Sequence, residues 1–352
     1  MRKESLTFLK KLLSTPSPSG YEEKIQRACK SYIQPYVDKV YKDVHGSQYA
    51  VRNPGGKLRV ILPALADELP LTTNPLDGNA FLAFLAIGGV DPSVLDGQRV
   101  VVHSGKGGIA GVVGRRAIHL MDQKERGTAL PIHKLWIDIG AKDKKDAEKS
   151  VEIGDPATID VGYLELKNGR VAARALDNRI GAFVVLEAMR LIANKKVNCA
   201  VYCVTTVQEE IGLRGATTSA YECDPHVGIA VDVAHATDHP ECDSKRHGSF
   251  SLDAGPILHR GPNMNPVVAK QLVSVAKAKK IAYQMQAAPR GTGTDANAMQ
   301  LTRGGVATGL IGVPNRYMHS PVEMISLKDA ELCARLLAEW ICTLKPTMSF
   351  IP

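Results

Sequence analysis

Val197-Asn198-Cys199-Ala200-Val201-Tyr202-Cys203-Val204-Thr205-Thr206-Val207-Gln208-Glu209-Glu210-Ile211-Gly212 is the stretch on which the fold turns. Residues 197–206 are apolar and rich in β-branched side chains, which reads as a buried strand. Cys199 and Cys203 lie four apart on one face of it and are expected in the core. Two adjacent carboxylates then end the run. At the tip of an apolar strand, Glu209 and Glu210 repel each other and need a cation or a proton to settle. For these two residues alone, a solvated pair at a strand tip stays open.

Four further stretches put an ionisable group where an apolar run stops. They are Ala64-Leu65-Ala66-Asp67-Glu68, Ala175-Leu176-Asp177-Asn178-Arg179, Val231-Asp232-Val233 and Arg316-Tyr317-Met318-His319-Ser320. Singly, each has a plain reading. Asp177 is a helix N-cap, Asp232 caps a turn, and His319 is a hydrogen-bonded loop histidine. Jointly, ionisable groups at several strand ends mark an active site on an α/β sheet. Carboxylates and histidine are also ligands of divalent metals. Asp177, Glu210, Asp232 and His319 suffice for two ions if one carboxylate bridges. Glu209 is then free to take a proton from metal-bound water, an arrangement suited to amide hydrolysis.

The chain has 352 residues, so two domains are expected. The first segment, to about residue 67, reads helix, helix, strand, turn, strand. Pro16-Ser17-Pro18-Ser19-Gly20 separates the helices, and Asn53-Pro54-Gly55-Gly56 turns between the strands. From about 71 to 167 the texture changes. Short β runs at 81–87, 99–103, 109–113 and 134–139 alternate with glycine-rich turns, as in a small β-barrel. The α/β rhythm then returns. Helices are expected at 178–193, 266–278 and from the capping box Ser326-Leu327-Lys328-Asp329 to about 344. Strands are expected at 197–206, 227–233 and 305–313. The fold class is α/β, a mixed sheet flanked by helices. Residues 1–70 plus 168–352 form one discontinuous catalytic domain, and 71–167 are an inserted β-barrel domain.

Composition narrows the function. Net charge is +8, but acids dilute the basic tracts, as in Lys142-Asp143-Lys144-Lys145-Asp146. No aromatic-interleaved basic stripe offers base stacking, so nucleic acid is not an expected partner. The seven cysteines form no Cys-x-x-Cys pair, which argues against a disulfide framework or thiolate zinc site and fits a reducing cytosol. The first residues read as an amphipathic helix rather than a secretory signal, and the apolar run 80–90 is too short to span a bilayer. A cytoplasmic protein without a membrane partner is expected.

With these stretches in place, the chain resembles the M42 metallo-aminopeptidases over almost its whole length. The resemblance is carried by Ser17-Pro18-Ser19-Gly20-Tyr21-Glu22-Glu23, by Ala175-Leu176-Asp177-Asn178-Arg179 with Gly181, and by Gln208-Glu209-Glu210-Ile211-Gly212. It continues through Val231-Asp232-Val233-Ala234-His235-Ala236-Thr237-Asp238, Gly293-Thr294-Asp295-Ala296 and Arg316-Tyr317-Met318-His319-Ser320-Pro321. It implies that Asp177 bridges two metals, that Glu210 and His319 complete one site, and that Asp232 belongs to the other. Glu209 is implied as general base for attack by a metal-bound hydroxide. Asp67, grouped with it as catalytic, is implied to orient a histidine ligand two residues earlier. One or two divalent ions are implied, zinc or cobalt first and manganese also compatible. So are peptide substrates and homo-oligomers from dimer to dodecamer, with the inserted domain in dimerisation.

The pattern breaks in one turn. Where the family has its histidine ligand this chain has Leu65, and where it usually has glycine this chain has Pro70. Three readings follow: an aminopeptidase with a weakened or single metal, a catalytically impaired homologue used for assembly or binding, or an amide hydrolase with non-peptide substrates. His45 is a candidate substitute ligand, although a turn histidine is ordinarily just solvated.

Overall fold

The computed structural model describes residues 1–76, 80–123 and 126–352, and the side chains of all of these except Pro75 and Leu76. Two amphipathic helices, Lys3–Ser14 and Glu23–Ile33, open the chain. Phe8, Leu9, Leu12 and Leu13 of the first, and Ile25, Cys29 and Ile33 of the second, face inward at helical spacing. Strands β1 (Lys39–Lys42) and β2 (Gln48–Arg52) form an antiparallel hairpin. Strand β3 (Leu58–Leu65) runs three residues further than expected, straight into the Asp67 turn.

The next six strands close on themselves. They are β4 (Leu71–Leu76), β5 (Leu82–Ala86), β6 (Arg99–Ser104), β7 (Gly107–Gly114), β8 (Trp136–Asp138) and β9 (Pro156–Ile159), in barrel order β4-β5-β8-β7-β6-β9. Leu71, Leu82, Phe84, Val100, Val102, Val113 and Ile137 fill the interior as a separate core. Alternation along each strand puts these residues inside. Strands β4 and β9 were not anticipated, because Pro75 and Pro156 interrupt or open them, and proline weakens a strand signal.

After β10 (Leu164–Glu165) and β11 (Arg170–Ala173) the chain returns to the main sheet through β12 (Cys199–Thr206), β13 (Val227–His235), β14 (Ile257–Arg260), β15 (Gln284–Ala287) and β16 (Ala307–Asn315). Strand β17 (Glu323–Ser326) pairs with β11 in a small side sheet. The main sheet has the order β1-β2-β12-β3-β13-β16-β14-β15. Its four central strands, β12, β3, β13 and β16, are mutually parallel.

Helices cover both faces, which explains the nearly unbroken apolar runs of these strands. The two N-terminal helices, Leu176–Ile192, Pro266–Ala278 and Leu327–Thr343 pack on one face, where Cys199 and Cys203 are buried. Arg214–Cys223 and Asp295–Gln300 cover the other. The helix Arg214–Cys223 was not anticipated, since Gly215 and its Thr-Thr-Ser run are poor helix formers. Among the described residues, no helix is long and apolar enough to cross a membrane. All seven cysteines are free.

Candidate metal centre

Parallel strands deliver their carboxyl ends to one edge of a sheet, and the ionisable stretches meet there. Asp177 enters from β11. Ala175 has a left-handed backbone, the Asp177–Asn178 peptide is cis, and the helix becomes regular only beyond them. The Asp177 side chain makes no helix cap. Its Oδ2 lies 3.3 Å from His319 Nε2. Asn178 pins the turn by donating Nδ2–H to Val231 O (2.7 Å) and accepting Gly181 N–H at Oδ1 (2.9 Å). A Cβ on Gly181 would stand 2.3 Å from Asn178 Oδ1, so only glycine fits.

His319 follows β16 in a left-handed conformation (φ 63°). Its N–H donates to Glu323 Oε1 (2.8 Å), and Glu323 Oε2 accepts Asp177 N–H (2.7 Å). One buried carboxylate thus holds the backbones of both residues. His319 Nδ1 lies 3.1 Å from Gly89 O, beyond β5. A ring anchored through Nδ1–H presents Nε2 as its ligand atom.

Glu209 and Glu210 sit on the turn after β12. Their N–H groups donate to Asp67 Oδ1 and Oδ2, each at 3.2 Å, and Ser19 Oγ–H donates to Oδ2 at 2.8 Å. With leucine at 65, Asp67 has no histidine to orient, and its carboxylate holds the glutamate turn. Beside it, fully buried Arg179 reaches Glu68 Oε1 at 2.5 Å, and Arg174 reaches Oε2 at 2.9 Å. Burial pushes the Glu68 carboxyl up, but Arg179 and Arg174 outweigh it and hold it below its ordinary range.

One donor atom from each of Asp177, Glu210 and His319 lies within 4.8 Å of the others. Two carboxylate oxygens and one imidazole nitrogen suit a divalent cation. The electrostatics agree. Burial first, and Asp177 next, push Glu210 up to about 9. Burial and Asp232 push Glu209 up to about 12. Burial, Asp177 and Asp295 raise Asp232 well above its ordinary range. The hydrogen bond to Asp177 raises His319 to about 9. Crowded acids that can ionise only at this cost are stabilised by a cation in their midst.

Asp232 stands outside the three-donor set and accepts Val233 N–H at Oδ1 (2.8 Å). Leu65 is 1% exposed and pairs with Thr206 across β3 and β12. Strand β13 pairs with β3 at Val227–Val60 and Gly228–Ile61, and Leu65 and Asp232 each lie further along toward the carboxyl ends of these strands. There Leu65 presents a hydrocarbon and no donor atom. Thr206 Oγ–H donates to Asp295 Oδ2 (2.7 Å), while Asp295 Oδ1 is buried without a partner. The roles of Glu323 and Asp295 escaped the sequence reading. Asp295 falls in the Gly293-Thr294-Asp295-Ala296 stretch, whereas Glu323 carries no signal beyond one acid opening a strand. His45 does not join the centre. It lines a different cavity, behind the Val207 turn.

The centre opens into a cavity of about 510 Å³, walled by Asp177, Glu209, Glu210, Asp232 and His319 on one side and residues 286–294 on the other. The family model described as M42 glutamyl aminopeptidase matches residues 46–336. The chain belongs to the M42 peptidase family. This M42 chain is 35% identical to the lysyl aminopeptidase of Pyrococcus furiosus, over 98% of this chain and 99% of that protein. A TET aminopeptidase structure from a marine-sediment thaumarchaeon matches with a TM-score of 0.93 and 33% identity, covering 98% of both chains. The TET1 peptidase of Pyrococcus horikoshii, described as assembling into a tetrahedron or a large octahedral shell, matches with a TM-score of 0.87 and 29% identity. That match covers 97% of this chain and all of the other.

Proposed function

We propose that this M42 peptidase is a metal-dependent aminopeptidase that removes N-terminal residues from peptides. The observation that carries this reading is the three-donor set of Asp177, Glu210 and His319, with Glu209 buried beside it. A divalent cation there supplies Lewis acidity, which polarises a carbonyl and acidifies water. Glu209 takes the proton of the attacking water at its carboxylate and returns it to the amine nitrogen as the C–N bond breaks. Asp67 fixes the height of the Glu209-Glu210 turn, and Glu323 sets the spacing between Asp177 and His319. The acidic cavity wall favours a substrate whose free α-amine is cationic.

Zinc or cobalt suits the donor set, and manganese is compatible. Asp177 and Asp232 define a second ion position that Leu65 leaves short of a ligand. Residues 1–70 with 168–352 form the catalytic domain, and 71–167 form the inserted domain through which the chain dimerises. The protein is a homo-oligomer, a reading supported by the shells its structural relatives form. Free cysteines fit the reducing cytoplasm. Leu65 favours one alternative, an assembly subunit that has lost turnover. A panel of chromogenic aminoacyl amides, assayed on metal-loaded protein, separates the two. Turnover lost on chelation supports the enzyme, and no turnover with any amide supports the subunit.

A further inference from the structure

The three-donor set contains no residue of the inserted barrel, yet the barrel touches two of its three members. The contact is made by Gly88 and Gly89, just after β5. Gly88 has a left-handed backbone (φ 75°), and a Cβ there would stand 2.5 Å from Leu69 Cδ2 and 3.0 Å from Glu210 O. Gly89 offers its carbonyl to His319 Nδ1 at 3.1 Å. A Cβ on Gly89 would stand 3.2 Å from that Nδ1 and 3.3 Å from Cε1 of the same ring. A turn explains the glycine at 88. It does not explain the glycine at 89, whose backbone is not left-handed. The nearness of the His319 ring does.

The segment is fastened at both ends. Ile87 N–H donates to Pro70 O (3.0 Å) where the chain enters the barrel, and Leu95 is buried in the barrel core. Between them Asp91 Oδ1 accepts Ser93 N–H (2.8 Å). Val90 and Val94 line a cavity of about 50 Å³ together with Asp177, His319 and Pro321. The two glycines are thus held against the ligand residues by packing on either side of them.

We propose that Gly88 and Gly89 are positioning residues of the metal centre, through which the inserted domain fixes where His319 and Glu210 stand. A histidine that ligates through Nε2 takes its orientation from the acceptor behind Nδ1–H. Here that acceptor is a backbone carbonyl from another domain, brought close because no Cβ intervenes. Zinc–nitrogen bonds are ~2.0–2.1 Å, with a tolerance of ~0.2 Å. An added methyl at 89 makes the ring give by a few tenths of an ångström, enough to carry Nε2 out of range. The inference rests on the reading of Asp177, Glu210 and His319 as an ion site.

The test compares full-length wild type with Gly89→Ala and Gly105→Ala. Gly105 also lies in the barrel with an ordinary backbone, and a Cβ on it would meet nothing within 4 Å. Three quantities are read: zinc affinity by competition with a chromophoric chelator, the visible absorption of the cobalt-loaded protein, and the melting point without metal. Gly89→Ala is expected to bind zinc ~10-fold or more weakly and to show an altered cobalt spectrum. Its metal-free melting point is expected to stay at the wild-type value. Gly105→Ala is expected to match wild type in all three. Wild-type affinity and spectrum in Gly89→Ala overturn the proposal. So does an affinity loss that comes with a lower metal-free melting point, or one that Gly105→Ala shares, since either assigns Gly89 to barrel packing. Wild type that binds no zinc overturns the ion site itself, and this inference with it.

Discussion

Leu65→His should rebuild the incomplete ion position. The residue pairs with Thr206 at the carboxyl end of β3, beside the strand that carries Asp232, and it is buried. A histidine there adds an imidazole to the carboxylates of Asp177 and Asp232. Removing only an outer partner of a metal ligand costs ~10–100-fold in affinity. Gaining a whole ligand should be worth at least the upper end, ~100-fold, or about 2.8 kcal/mol at 1.4 kcal/mol per decade. Support for the ring is at hand, since Asp67 is two residues on and Asp295 Oδ1 is buried without a donor. Without metal the variant should be less stable than wild type, because a polar ring replaces a packed leucine. With metal that deficit should shrink. Equilibrium dialysis against zinc, followed by elemental analysis, reads the stoichiometry directly. A second ion retained per subunit at zinc levels where wild type keeps one is the expected result. Identical stoichiometry and affinity in the two proteins would refute the reasoning and remove position 65 from the site.

Other outcomes follow from the same geometry. Glu209→Gln should lower kcat by ~10²–10⁴-fold while leaving metal content intact; wild-type turnover would remove Glu209 from the chemistry. Glu323→Ala deprives Asp177 N–H and His319 N–H of their shared acceptor, and should weaken metal binding ~10–100-fold without disturbing the barrel. Unchanged affinity by zinc titration would contradict this. At pH 7, Glu210 and His319, both raised to about 9, hold protons in the metal-free protein. Ion binding should therefore release protons from both, and affinity should rise with pH up to about 9. Calorimetry in buffers of different ionisation heat counts those protons, and none released would count against the assignment. Glu68→Ala strands the buried guanidinium of Arg179 and should cost ~3–5 kcal/mol of stability, read by urea denaturation.

Much of the fold was legible because the central strands are buried on both faces and carry long apolar runs. The helix Pro266–Ala278 matched its expected limits because Asn265 caps it and proline opens it. The barrel was legible as a change of texture, although β4 and β9 were hidden by proline. At the site, Asp177, Glu210 and His319 were each weak alone and converge because parallel strands end together. What stayed hidden depends on contacts across the fold. Nothing local says that Asp67 holds two backbone N–H groups 142 and 143 residues away, or that Glu323 ties Asp177 to His319. His45 shows the converse, since its sequence position suggested a substitute ligand and the fold sends it behind the turn.

The central claim is that one divalent ion, held by Asp177, Glu210 and His319, makes this chain a peptidase. The most direct measurement is the rate of aminoacyl amide hydrolysis by metal-depleted protein as zinc or cobalt is titrated in. The account predicts no turnover without metal and a rise that tracks occupancy of the first ion. Turnover that persists in fully metal-depleted protein, or full occupancy with no hydrolysis of any amide, would contradict it.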